Sequence, residues 1–280
     1  MRTINTDDII AAVARLCQEA CFELEADVRA ALENARGKEV SPVGREILEQ
    51  LLTNAAIAES ERIPMCQDTG IVVVFLDVGQ EAAIVGGDLY AAVTEGVHQG
   101  YTEGYLRKSV VKSPLERVNT GDNTPPVIHC RIVPGDQLRI TVVPKGAGSE
   151  NMSALKMLKP ADGVEGVKQF VIDTVLAAGP NACPPLTVGV GIGGTMEKAA
   201  LMAKEALVRP LGRPNPDPAA AALEAELLER INALGLGPMG LGGRVTALAV
   251  HVELYPTHIA SLPVAVNINC HAMRHKSTLL

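Results

Sequence analysis

The stretch LTVGVGIGGTMEKAALMAKEALV, Leu186 to Val208, decides the fold. LTVGVG is short, apolar and rich in β-branched residues, as a buried strand requires, and MEKAALMAKEALV returns to helical spacing. Together they read as one βα unit. GVGIGG, Gly189 to Gly194, also satisfies the G-x-G-x-x-G pattern that seats a dinucleotide pyrophosphate between strand and helix. A dinucleotide fold then needs a second strand ending in an acidic residue about 20 positions further on, whereas this chain enters RPLGRPNPDP, Arg209 to Pro218. That reading is set aside. Two remain for the glycines: backbone N–H groups offered to an anion such as a substrate carboxylate, or close packing of the helix on the strand.

Outward from this unit, Thr6, Asp7 and Asp8 open a helix whose apolar period runs to about Asn34, with the stripe Ile9, Val13, Leu16, Ala20, Leu24, Val28. A second helix is expected over about Pro42 to Glu61, a strand over Ile71 to Gly79, and helical spacing over Asp88 to Arg107. PVIHCRIV and QLRITVVP flank PGD and read as an antiparallel hairpin. Helices follow at about Asp162 to Ala178 and Ala219 to Leu234, and RVTALAVHVEL and LPVAVNI are strands. The prolines of Arg209 to Pro218 make that segment a surface connection. No repeat or linker divides the chain. The expected fold class is therefore α/β, a single mixed domain over residues 1–280 with helices packed on a mixed sheet.

Hydrophobic residues make up 47% of the 280 positions, enough for a sizeable core. The net charge is -7 with Lys and Arg scattered, aromatic residues are 2%, and Trp is absent. Neither a basic stripe nor a stacking platform is on offer, which excludes nucleic acid as a partner. The opening MRTINTDDII has no leader pattern and no apolar run approaches about 18 residues, so no membrane role is expected and a cytoplasmic location is.

In that reducing setting the six cysteines are free or bind metal. Cys17 and Cys21 fall on the apolar stripe and read as small buried hydrophobes. Cys130 sits in a strand and reads as packing. Cys66 in PMCQDTG, Cys183 in GPNACPPLTVGVG and Cys270 in VNINCHAM differ, because each stands in a turn-forming stretch beside a strand. Three soft thiolates from distant loops suggest an iron-sulfur cluster with one iron left unligated by protein. Polar neighbours accompany them: Gln67, Asp68, Thr69, Asn181, His258 and His271.

PMCQDTG, NTGDNTPPVIH, KGAGSENMSALKML, GVGIGGTMEKAALMAKEAL and THIASLPVAVNINCHA resemble the iron-sulfur hydro-lyases, specifically the α subunit or N-terminal domain of class I fumarate hydratase and L-tartrate dehydratase, from about Ile63 through Leu280. The resemblance implies a 4Fe-4S cluster on Cys66, Cys183 and Cys270 whose open iron polarises a substrate hydroxyl. It implies Asp68 and His258 as acid–base residues, and Gln67, Arg107 and Gly148 at a small dicarboxylate substrate, with Arg107 as a bidentate clamp. Lys145, Ser149 and Asn151 lie in the same glycine-bearing loop as Gly148, and Asn119, Thr120, Asp122 and Asn123 form a similar one. Single-chain members carry a further C-terminal catalytic domain, and here Leu280 comes ten positions after Cys270. A separate β subunit bearing the base for the carbon-bound proton is therefore expected. The reading is the α subunit of a fumarate hydratase, with the L-tartrate dehydratase α subunit as its rival and a non-catalytic iron-sulfur redox sensor as the alternative of another class.

Overall fold

The computed structural model describes residues 2–280. Its helices are α1 (Thr6–Phe22), α2 (Ala26–Lys38), α3 (Pro42–Glu61), α4 (Leu89–Glu103), α5 (Ala147–Glu150), α6 (Gly163–Ala178), α7 (Met196–Ala206) and α8 (Pro218–Asn232). The strands are β1 (Arg2–Asn5), β2 (Ile71–Gly79), β3 (Ala82–Val85), β4 (Val127–Val133), β5 (Leu138–Lys145), β6 (Ala154–Leu158), β7 (Leu186–Gly193), β8 (Ala247–Tyr255), β9 (Leu262–Asn269) and β10 (Lys276–Leu279). The fold is α/β with helices on mixed sheets, as expected. The described residues fall into two compact units, one of 2–24, 55–147 and 274–280, the other of 25–54 and 148–273.

In the first unit the sheet order is β10-β5-β2-β4, with β2 antiparallel to β5 and parallel to β4. The expected PGD hairpin is therefore not formed, because β2 lies between its two arms. Val72, Val74 and Leu76 are buried, and a strand of that apolarity takes a central place. Gly79 makes the insertion feasible: a Cβ there would stand 2.5 Å from the Gly135 carbonyl oxygen, and the Gly79 amide donates to Gln137 O at 2.8 Å. Helix α1 is capped by the Asn5 side chain, which accepts from Asp7 N, and it buries Ile9, Val13, Leu16, Cys17 and Cys21. Helix α4 lies against it through Gly96 and Gly100, where a Cβ would come within 2.6 Å of Val13 Cβ and 2.7 Å of Ala14 O. Glycine at these two positions sets the helix separation.

The opening helix does not reach Asn34. It stops at Phe22, passes extended backbone at Glu23, and restarts as α2. The physical reason is that the two helices belong to different units: α1 buries its apolar face in the first, and α2, with Val28, Leu32 and Ala35 buried, belongs to the second.

The second unit holds a sheet of order β6-β9-β7-β8, with β7 parallel to β8 and antiparallel to β9. Strand alternation puts Leu186, Val188 and Val190 in a core with Val171 and Val175 of α6 and Leu227 of α8. The opposite face belongs to α7. A Cβ on Gly189 would lie 2.0 Å from Ala203 O, and one on Gly191 2.1 Å from Ala199 O. Of the two readings of GVGIGG, close helix–strand packing is the one these distances carry. Glu39, fully buried, ties this unit together: its carboxylate accepts main-chain N–H groups of Val40, Ser41, Arg244 and Val245. Burial opposes the charge, those donors outweigh it, and the carboxyl sits below its ordinary value. Among the described residues, no helix is long and apolar enough to cross a membrane.

Candidate functional site

In the first unit the loop Cys66–Gly70 leads into β2 and is held from several sides. Gly70 has φ +79° and a Cβ there would strike the Lys145 main chain at 2.7 Å, so only glycine lets the loop lie on the end of β5. The buried Tyr101 hydroxyl donates to Thr69 O at 2.5 Å, Thr69 Oγ1 donates to Arg107 O at 2.9 Å, and Asn123 Nδ2 donates to Gly70 O at 3.1 Å. Asn123 Oδ1 in turn accepts from Ser109 N at 2.7 Å. Of the NTGDN loop, Asn123 thus touches the candidate site, while Asn119 and Asp122 close their own turns through Gly121 N and Thr124 N. Asp68 accepts Gly70 N–H on Oδ1 at 2.9 Å and Ala147 N–H on Oδ2 at 2.8 Å. Cys66 is half-buried, with Sγ 3.3 Å from Gln67 Oε1. Helix α4 ends at Glu103, so Arg107 stands in an exposed loop rather than on the helix expected there.

One residue of this neighbourhood escaped the sequence reading. Arg274 is 3% exposed, and its Nη1 donates to Asp68 O at 2.6 Å. Its position four residues beyond Cys270 was the available signal.

In the second unit Cys183 and Cys270 share one end of the sheet. Asn269 ends β9 opposite Thr187 of β7, and His271 N and Nδ1 both reach Cys183 O, at 3.3 and 3.2 Å. Because a carbonyl only accepts, His271 Nδ1 carries the proton of that bond. Cys183 is held with φ 55° and ψ 67°, a left-handed conformation that a non-glycine residue adopts at local cost. Gly148 joins them, since a Cβ on it would lie 3.4 Å from Asn181 O. Ser153 Oγ accepts from Ile268 N and Asn267 Nδ2, and Asn267 also donates to Glu150, which pairs with Lys204 at 2.6 Å. This network fixes the loop after α5 to the Cys270 end of β9.

His258 is elsewhere in that unit. Its turn follows β8, where Gly194 N donates to Pro256 O and Thr257 Oγ1 donates to Gly194 O. Thr187, at the cysteine end of β7, and Gly193, paired with Tyr255, are six residue steps apart, a span of about 20 Å at the usual strand rise. The structure groups Cys183, Cys270 and Gly148 and holds His258 at the far end of the same sheet. There His258 is exposed, and its Nδ1 accepts from Ala260 N at 3.1 Å, which leaves the proton of the neutral ring on Nε2. It borders a groove of about 640 Å³ with Met196, Lys198, Tyr255 and Ser261.

The cysteines divide by environment. Cys17 and Cys21 are fully buried, as expected. Burial pushes the Cys17 thiol well up; burial does the same to Cys21, with Arg274 opposing and Cys66 and Asp68 adding to the rise, and Cys21 reaches about 11. Cys130 is exposed on β4 instead of packed, because β4 is the edge strand. Cys66, Cys183 and Cys270 are the three half-buried thiols. Among the described residues no three His, Cys, Asp or Glu side chains are gathered as a ready metal site. The fit to an iron-sulfur cluster is one of donor chemistry: accessible thiols on loops, two of them at one sheet end, in contrast to the fully buried Cys17 and Cys21.

The family model described as Fumarate hydratase (Fumerase) matches residues 10–278. This chain belongs to that family. It is 46% identical over 270 residues to the "Putative L(+)-tartrate dehydratase subunit alpha" of Methanocaldococcus jannaschii, covering 94% of each chain. It is 37% identical over 258 residues to the L(+)-tartrate dehydratase subunit alpha of Escherichia coli O157:H7, covering 91% of this chain and 84% of the other. The Escherichia coli K12 protein of the same name is 36% identical over 258 residues.

Proposed function

We propose that this chain is the α subunit of an iron-sulfur hydro-lyase that adds water reversibly across the double bond of a four-carbon dicarboxylate, interconverting fumarate and L-malate. The observation that carries the reading is the set of half-buried loop thiols, Cys66, Cys183 and Cys270, in a fumarate hydratase family member. When bound, the cluster supplies Lewis acidity toward the hydroxyl that leaves. Asp68, its carboxylate oriented by two main-chain donors, assists departure of that hydroxyl. Arg107 on its exposed loop grips a carboxylate, and Gln67 and the Gly148 backbone complete the substrate's contacts. The base for the proton on the adjacent carbon belongs to a β subunit, a reading supported by the words "subunit alpha" in the relatives' names. A reducing cytoplasm suits the free thiols.

His258 does not span about 20 Å to a substrate at its own chain's Cys183 and Cys270. Its proposed acid–base role is therefore exercised on a site supplied by another chain. Mixing a Cys66→Ser chain with a His258→Asn chain tests this: regained turnover supports a shared site, and persistent inactivity of the mixture removes His258 from the chemistry.

A second reading, dehydration of L-tartrate, is favoured by the relatives' names. The elimination is the same on a substrate with one more hydroxyl. Anaerobically reconstituted α chain with its partner, assayed on L-malate, fumarate and L-tartrate, decides between them by kcat/KM. Turnover of none of the three, with the cluster intact, would leave the redox-sensing module.

A further inference from the structure

We propose that Arg274 is a positioning residue that holds the Cys66–Gly70 loop and, through it, aims the Asp68 carboxylate; this rests on the reading of Asp68 as a reacting group. A guanidinium that is 3% exposed has lost most of its water, a cost that only good hydrogen bonds offset. Arg274 makes one of them to the Asp68 carbonyl oxygen, at 2.6 Å, in the charge-assisted range. The carboxylate itself accepts from the main chain, from Gly70 N and Ala147 N. Arg274 thus adds a side-chain bond to the main chain that carries it.

Gly146 shows how closely the parts are fitted. A Cβ built there would lie 3.3 Å from Arg274 Nη2 and 3.4 Å from Asp68 Oδ2, so guanidinium and carboxylate flank the same glycine. Arg274 therefore bonds the Asp68 main chain with Nη1 while Nη2 sits beside the segment whose next amide, Ala147 N–H, holds the carboxylate. A planar fork does both at once, and the compact ammonium of lysine does not. Removal of the fork leaves Asp68 its two main-chain donors but frees the backbone that carries it. Because Gln67 and Arg107 contact the substrate, the effect belongs in kcat and not in KM.

The test uses Arg274→Gln and Arg274→Lys in the full chain, with two readouts. The first is steady-state kinetics with the partner subunit on whichever of L-malate or L-tartrate the wild type turns over. Arg274→Gln is expected to lower kcat at least about tenfold with KM within about twofold, and Arg274→Lys to recover part of the loss. The second is amide hydrogen exchange on the α chain alone, where Gly70 and Ala147 exchange at least about tenfold faster in Arg274→Gln while Val72 to Leu76 keep their protection. Unchanged exchange at Gly70 and Ala147, or a loss confined to KM, overturns the proposal. If the wild type turns over neither substrate, the functional reading fails, and the exchange result alone decides whether Arg274 holds the loop. Should Arg274→Gln not fold, Arg274→Lys carries both readouts against the same criteria.

Discussion

The amide of Ala147 donates to Oδ2 of Asp68 at 2.8 Å across 79 residues of sequence. The carboxylate that the sequence marks by its place after Cys66 is thereby oriented by the first residue of α5, just past the end of β5. Asparagine at 68 keeps one acceptor oxygen and turns an NH2 group toward one of the two N–H donors. Asp68→Asn is expected to lower kcat about 10²-fold or more in the reconstituted enzyme with full iron content. Near-wild-type turnover would assign Asp68 to loop architecture alone.

Iron retention should follow thiol environment. Serine at Cys66, Cys183 or Cys270 is expected to abolish the broad absorbance near about 400 nm and most of the iron in anaerobic protein. Serine at the buried Cys17 or Cys21 is expected to leave both in place, at some cost in packing. Iron analysis of the five variants checks the assignment, and loss of iron from Cys17→Ser or Cys21→Ser would contradict it.

Gly189→Ala tests the steric reading of GVGIGG. The new methyl would stand 2.0 Å from Ala203 O, so α7 must lift from β7. A destabilisation of about 3 kcal/mol is expected in urea melts, at the upper end for overpacking. A loss of substrate affinity with unchanged stability would instead favour anion binding by this segment.

Glu39 supplies the pH prediction. Its folded carboxyl lies below the ordinary 4.5, so near that pH the unfolded chain binds more protons than the folded one. The stabilisation is complete above about 4.5 and is lost as pH falls through the folded value. Glu39→Gln is expected to cost about 2–3 kcal/mol at neutral pH, since an amide cannot accept from four buried N–H groups, and less at acid pH. Urea midpoints of both proteins across pH 3–7, a range of about four units, check the convergence. A gap that does not narrow on acidification would refute the carboxylate's role.

Local pattern carried much of the fold because it is a local property. Helix α3 occupies the expected Pro42–Glu61, and β2 the expected Ile71–Gly79, since cap chemistry, spacing and β-branching act within a few residues. Strand pairing is not local. PVIHCRIV and QLRITVVP have the chemistry of a hairpin, and nothing in them announces that β2 will sit between, which follows from where the most apolar strand gains most by burial. The stripe from Ile9 to Val28 is continuous in sequence yet divided between two units, a fact invisible to periodicity.

The candidate site divides the same way. The sequence by itself supplied the candidate ligands, because a thiol in a turn-rich stretch is recognisable from its neighbours, and it determined the family through long motifs. Tertiary structure alone decided that Gly148 and Cys183 share a sheet end while His258 stands about 20 Å away, since strand direction and register set those distances. It also decided that Arg274, an unremarked cation in HAMRHKS, is buried against Asp68. A hydrogen bond between residues 206 positions apart leaves no trace in either local stretch, because it forms only where the fold brings both groups together out of water.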